Sequence, residues 1–116
     1  MNKREEGFHY EKIAGVYLEE QGYQIIEYNF YCRQGEIDII AMDGDTLVFV
    51  EVKYRRDERK GHPLDAISDT KRRRICQSAL YYMKRQRIWN RPIRFDVVRI
   101  LGQKIMLIKN AFEYIE

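Results

Sequence analysis

The stretch Leu47-Val48-Phe49-Val50-Glu51-Val52-Lys53 constrains this chain more than any other. Side chains alternate faces along a strand, so Leu47, Phe49, Glu51 and Lys53 share one face and Val48, Val50 and Val52 the other. Both faces begin apolar, which suits a central strand covered on both sides. Its far end nevertheless carries an acid and a lysine. Charges there are expensive to bury unless they pair with something or bind something.

The rest of the chain supplies what such a strand needs. Residues 5–21 predict a helix with Ile13, Ala14, Val16 and Tyr17 as its apolar stripe and Gly22 as its stop. Tyr23–Tyr31 and Glu36–Met42 read as strands, Asp43-Gly44-Asp45 as a hairpin turn, and Thr46–Tyr54 as the central strand. A charged loop over residues 55–67 contains Gly61 and Pro63. Ser68 is an N-cap for a helix over Asp69–Arg87, whose stripe is Ile75, Ala79, Tyr82 and Met83. Asn90 and Pro92 stop it, and Ile93–Leu101 and Lys104–Ile108 are two further strands. The order α-β-β-β-α-β-β is that of an α/β domain with a mixed sheet: an antiparallel meander, then a crossover helix leading to a further strand. At 116 residues the chain is a single domain, 1–116.

A two-residue turn decides which side chains meet across the hairpin. If the turn is Gly44-Asp45, Asp38 lies directly across from Glu51; if it is Asp43-Gly44, Asp38 is one diagonal step away on the same face. Either way Asp38, Glu51 and Lys53 converge at one end of the sheet, on a face that continues into Ile40, Phe49 and Leu47. Facing carboxylates repel. A divalent cation relieves the repulsion, and carboxylate oxygens with water are what Mg²⁺ prefers. The bland alternative is an acid–lysine cluster that neutralises itself.

The net charge of +3 conceals an asymmetry. Residues 1–52 hold four Lys/Arg against eleven Asp/Glu, and residues 53–94 hold fourteen against four. A basic half beside an acidic one suggests a polyanionic partner, or else two solvated faces. No apolar run comes near the length of about 20 residues that a membrane span takes, so no membrane association is expected. The start lacks the apolar core of a secretory signal. Cys32 and Cys76 show no metal or disulfide spacing, so they are packing residues and the cytoplasm is the expected compartment.

Asp38 followed by Glu51-Val52-Lys53 resembles the PD-(D/E)XK nuclease signature. Glu11, Ala14, Tyr17-Leu18, Gly22-Tyr23, Gly35-Glu36-Ile37-Asp38, Phe49-Val50-Glu51-Val52-Lys53, Gly61, Lys71, Ala79 and Arg94-Phe95-Asp96-Val97-Val98 together resemble the YraN-like family of small bacterial proteins, itself similar to archaeal Holliday junction resolvases. The resemblance spans roughly residues 7–101. Ile37 stands where the signature's name has proline. The resemblance implies a restriction-endonuclease-like sheet flanked by helices, with a metal site at a splayed end of the meander.

On that reading Asp38 is the principal ligand of Mg²⁺ or Mn²⁺, Glu51 the second, and Lys53 orients the attacking water or stabilises charge on the phosphorane. The resemblance aligns Glu11 with a helix carboxylate that completes the site. Glu36 either supports the site or is exposed. Lys71, in the first turn of the second helix, either holds a phosphate or is a surface lysine. Arg55, Arg56, Arg59 and Lys60, with Arg72, Arg73 and Arg74, would clamp phosphates without reading sequence. His9 and His62 read as ordinary residues. The expectation is a metal-dependent endonuclease acting on nucleic acid, DNA ahead of RNA. The rivals are a non-catalytic nucleic-acid-binding module and an RNA-processing nuclease. Resolving a four-way junction would take two sites and hence a homodimer, for which Tyr81, Tyr82 and Trp89 are candidate interface residues if exposed.

Overall fold

The computed structural model describes residues 1–57 and 67–116. The elements follow the expected order: α1 (Lys3–Glu20), β1 (Gln24–Cys32), β2 (Gly35–Asp43), β3 (Thr46–Arg55), α2 (Asp69–Gln86), β4 (Ile93–Leu101) and β5 (Lys104–Phe112). The strands form one mixed sheet in the order β1-β2-β3-β4-β5. Every neighbouring pair is antiparallel except β3 and β4, which run parallel and are joined through α2.

β3 is apolar on both faces because each face meets a different helix. Leu47 and Phe49 join Ile75, Ala79, Tyr82 and Phe95 in the core under α2. Val48 and Val50 join Ala14, Leu18, Ile39 and Val98 in the core under α1. The hairpin register pairs Asp43 with Thr46, which makes Gly44-Asp45 the turn. Gly44 takes φ 60° at the first central position, where a two-residue hairpin favours glycine.

The helix ends follow from side-chain capping. Ser68 Oγ accepts the Lys71 N–H at 3.2 Å, and Asn2 Oδ1 accepts the Glu5 N–H at 2.8 Å. The inward stripe of α1 matches expectation in part. Ala14 is buried and Ile13 packs against the core as expected, but Gly15 and Leu18 complete the buried face and Val16 is 55% exposed. The helix packs through its small residues: a Cβ on Gly15 would fall on the hydroxyl of Tyr28, so only glycine permits this approach. β5 also runs four residues beyond Ile108, because Phe112 stacks on Phe95 with ring centroids 5.0 Å apart. Tyr82 is core, edge-on to Phe30 and Phe49, and is unavailable to a partner; Tyr81 and Trp89 are exposed.

A polar network closes the Asp43 end of the sheet. The fully buried Asp96 carboxylate accepts from Tyr23 Oη at 2.7 Å, Arg94 Nε at 2.8 Å and the Asn110 N–H at 2.9 Å. Arg94 Nη2 also donates to Asp43 at 2.7 Å. Four strand segments are thereby tied at one end, leaving the other end of β2 and β3 free to part. Among the described residues no helix is long and apolar enough to cross a membrane.

Candidate active site

The ladder between β2 and β3 ends at the pair Ile39–Val50. Its register carries Asp38 and Glu51 to facing positions one step beyond. There the strands are held by a side chain: Asp38 Oδ2 accepts the Val52 N–H at 2.8 Å. β2 changes faces at the same place. Ile37 packs in the core under α2 and Ile39 in the core under α1, so strict alternation breaks at Asp38. Beside this break on β1, Asn29 takes φ 53°.

Both helices reach this end of the sheet. Glu11 lies on the inward stripe of α1, three, four and seven residues before Ala14, Gly15 and Leu18. Its carboxyl interacts with Asn29 and Asp38. Lys71, in the first turn of α2, places Nζ 2.6 Å from Glu51 Oε1. Glu36 is exposed, yet its charge is felt by Glu11, Asp38, Glu51 and Lys71 alike.

Asp38 and Glu51 are 8% and 7% exposed, and this burial governs their acidity. Burial pushes the Asp38 carboxyl up to about 7; the Val52 N–H opposes the rise, and the charges of Glu11 and Glu36 add to it. Burial and the Asp38 charge push Glu51 up to about 7 against the pull of Lys71. Burial also raises Glu11, and the neighbouring Asn29 and Asp38 oppose the rise. Burial works to lower Lys71, but Glu51, Asp38 and Glu36 outweigh it and hold the ammonium charged.

The donor set fits a hard divalent cation. It consists of carboxylate oxygens, the acids carry more negative charge than one ammonium offsets, and Glu11 Oε1 is buried with no hydrogen-bond partner. Among the described residues no three ligand side chains already surround one point. The ion pair with Lys71 supplies the positive charge in this state.

The other predicted residues fall in two groups. Lys53 is half-buried two residues beyond Glu51, and Arg55 and Arg56 are exposed at the end of the same strand. Arg73 and Arg74 are exposed on α2, while Arg72 lies over the Phe112 ring and 3.9 Å from Asp69. Arg59, Lys60 and His62 lie outside the described residues. His9 stacks edge-on against Tyr10 on α1. Sequence reasoning missed Asn29, which carries no motif, and the pairing of Lys71 with Glu51. The position of Lys71 four residues before Ile75 was the only signal for the latter.

The model of the family described as Uncharacterised protein family UPF0102 matches residues 10–100, a span that contains the whole acid cluster. The chain belongs to family UPF0102. A UPF0102 protein of Lachnoclostridium phytofermentans is 53% identical over 114 residues, covering 97% of both chains. One from Syntrophus aciditrophicus is 50% identical over 107 residues, covering 89% of this chain and 84% of its own. A third, from Clostridioides difficile, is 43% identical over 114 residues, covering 97% of this chain and all of its own. UPF0102 members of this size thus match the chain nearly end to end.

Proposed function

We propose that this UPF0102 protein is a divalent-cation-dependent endonuclease that hydrolyses phosphodiester bonds in DNA, with repair or recombination intermediates as the favoured substrates. The observation that carries the reading is the pair of buried, facing carboxyls where the β2–β3 ladder ends. An apolar sheet gains nothing from such a pair, whereas a metal nuclease requires one. The choice of DNA rests on the resemblance to junction resolvases.

Asp38 and Glu51 would hold Mg²⁺ or Mn²⁺, which when bound polarises a phosphoryl oxygen and lowers the pKa of its water. The Val52 N–H fixes the Asp38 carboxylate, so its free oxygen keeps one direction. Glu11, half-buried on α1, offers a further carboxylate oxygen, the shielded and unpartnered Oε1. Lys71, which pairs with Glu51, would be released to meet a phosphate at the start of α2 if Glu51 held a metal ion. Lys53, on the strand of Glu51, would offset the negative charge that builds on the phosphoryl oxygens. Arg55, Arg56, Arg73 and Arg74 would hold the strand on either side.

The competing reading is a nucleic-acid-binding module on the same fold, favoured by the ion pair through which Lys71 already neutralises Glu51. Labelled linear, flapped and four-way DNA, together with RNA, incubated with Mg²⁺, Mn²⁺ or EDTA separate the two. Metal-dependent cleavage by wild type that disappears in Asp38→Ala supports the enzyme. Tight binding without cleavage of any substrate under any metal supports the module. Cleavage of RNA alone would reassign the substrate.

A further inference from the structure

Arg99 is the charged side chain that the site described above leaves unused. β4 lies beside β3 in parallel register with Arg99 opposite Lys53. Phe95 and Val97 pack under α2, and Val98 and Ile100 pack under α1. Alternation therefore puts Arg99 on the α2 face, together with Glu51 and Lys53. Neighbouring strands are about 4.8 Å apart, so two cations stand side by side just beyond the acid pair.

Arg99 carries a cost of its own. Its Nε and Nη1 are shielded from water and have no hydrogen-bond partner among the described residues. A guanidinium cannot escape by losing a proton, and Nε and Nη1 have only donors to offer. Buried unpaired donors of this kind call for an explanation. An anion rich in acceptor oxygens would relieve this cost, and a backbone phosphate fits guanidinium donors well.

We propose that Arg99 binds a backbone phosphate of the nucleic acid, next to the phosphate that faces the acid pair. The proposal rests on the nucleic-acid reading above. It deepens that reading by assigning a strand contact to β4, outside the hairpin and α2. The free protein bears the unpaired Nε and Nη1 donors as a cost, and binding removes it.

The test uses the full chain in EDTA, so that nothing is cleaved. Affinity for a fluorescein-labelled DNA duplex is followed by anisotropy across a salt series, and stability by urea unfolding. Arg99→Met should bind about tenfold or more weakly, with a salt slope smaller by about 1, and should be as stable as wild type or more so. A merely structural arginine gives the opposite pattern, with stability lost and affinity kept, and that result overturns the proposal. Should Arg99→Met not fold, Arg99→Lys keeps the charge but not the planar donor set. It should bind at least about threefold more weakly, and wild-type affinity in that variant overturns the proposal. If wild type itself binds no nucleic acid, the functional reading falls too; if it binds and the variants bind equally, only the role of Arg99 falls.

Discussion

Free of metal, this protein should become more stable as the pH falls from about 8 to about 5, the reverse of ordinary acid denaturation. The ordinary values of the Asp38 and Glu51 carboxyls are 3.8 and 4.5, and in the fold burial holds both near 7. A carboxyl whose folded pKa is raised keeps its proton longer in the folded state. Its contribution to stability is complete below the unfolded pKa and is lost as the pH rises through the folded one. The sensitive window therefore runs from about pH 4 to about pH 7. For Glu51 alone, the move from 4.5 to about 7 amounts to about 3 kcal/mol, at about 1.4 kcal/mol per pH unit. The charge of Asp38 is already one cause of the Glu51 shift, so the two do not add in full, and the pair should contribute about 3–5 kcal/mol. Asp43 titrates the other way: the Arg94 hydrogen bond holds it below its ordinary 3.8, so its contribution is lost only below this window.

The assay is thermal unfolding in EDTA at half-unit pH steps, repeated with Mn²⁺ present. At about 4 °C per kcal/mol for a chain of this size, Tm should rise by about 10 °C between pH 8 and pH 5.5. Mn²⁺ binds the ionised carboxylates, so it should flatten or invert the trend. The double variant Asp38→Asn, Glu51→Gln should lose most of the pH dependence in EDTA, the remainder coming from Glu11, which burial also raises. A Tm in EDTA that is flat or falls toward pH 5.5 would refute the claim that burial dominates these two acids. A trend that survives the double substitution would place its origin elsewhere.

Three further outcomes follow from particular contacts. Lys71→Met removes the resident counterion of Glu51, and calorimetric titration should show Mn²⁺ binding tighter by about fivefold, a modest factor because the Lys71 side chain is half exposed and screened. Lys53→Ala removes a cation but no proposed metal ligand. Cleavage should fall about 10²-fold or more in single-turnover assays while nucleic-acid affinity changes little, and normal cleavage would refute its catalytic role. Asp96→Ala removes the buried carboxylate that holds Arg94 Nε, the Tyr23 hydroxyl and the Asn110 N–H, leaving Arg94 to Asp43 and Tyr23 alone. Urea unfolding should show a loss of about 3–5 kcal/mol, and a loss under about 1 kcal/mol would mean that the network is ornamental.

The parts of the fold that were legible in the sequence are those where one physical signal had no competitor. β3 reads as central because alternating apolar residues on both of its faces admit no exposed side. α2 reads correctly because a capping serine, a first-turn acid and a strong apolar stripe agree with one another. α1 reads only in part: Ile13 and Ala14 face the sheet as expected, but Gly15 and Leu18 complete the contact while Val16, which hydropathy ranks far above Gly15, is exposed. The close approach to Tyr28, a tertiary event, decides the rotation of that helix. The same error hid the best local argument for Glu11. On the true stripe it sits one turn before Ala14 and Gly15, a carboxylate on a face that otherwise packs against the sheet.

The break in β2 was the feature least accessible to sequence reasoning, and it gives the site its form. Regular alternation would have kept Asp38 on the α2 face with Ile40 and Glu51, two acids crowded against one helix. Instead Ile37 and Ile39 enter opposite cores, and Asp38 turns at the point between them. It thereby meets Glu11 of α1, while Glu51 meets Lys71 of α2. Each acid answers to a different helix, and the bond from the Val52 N–H to Asp38 joins them where the ladder stops. Nothing local at Asp38 demands this turn; Asn29, at φ 53° on the adjacent strand, is its visible counterpart. A cation bound between the two acids would therefore link both helices to the sheet end, and binding there would be felt on both faces of the fold at once.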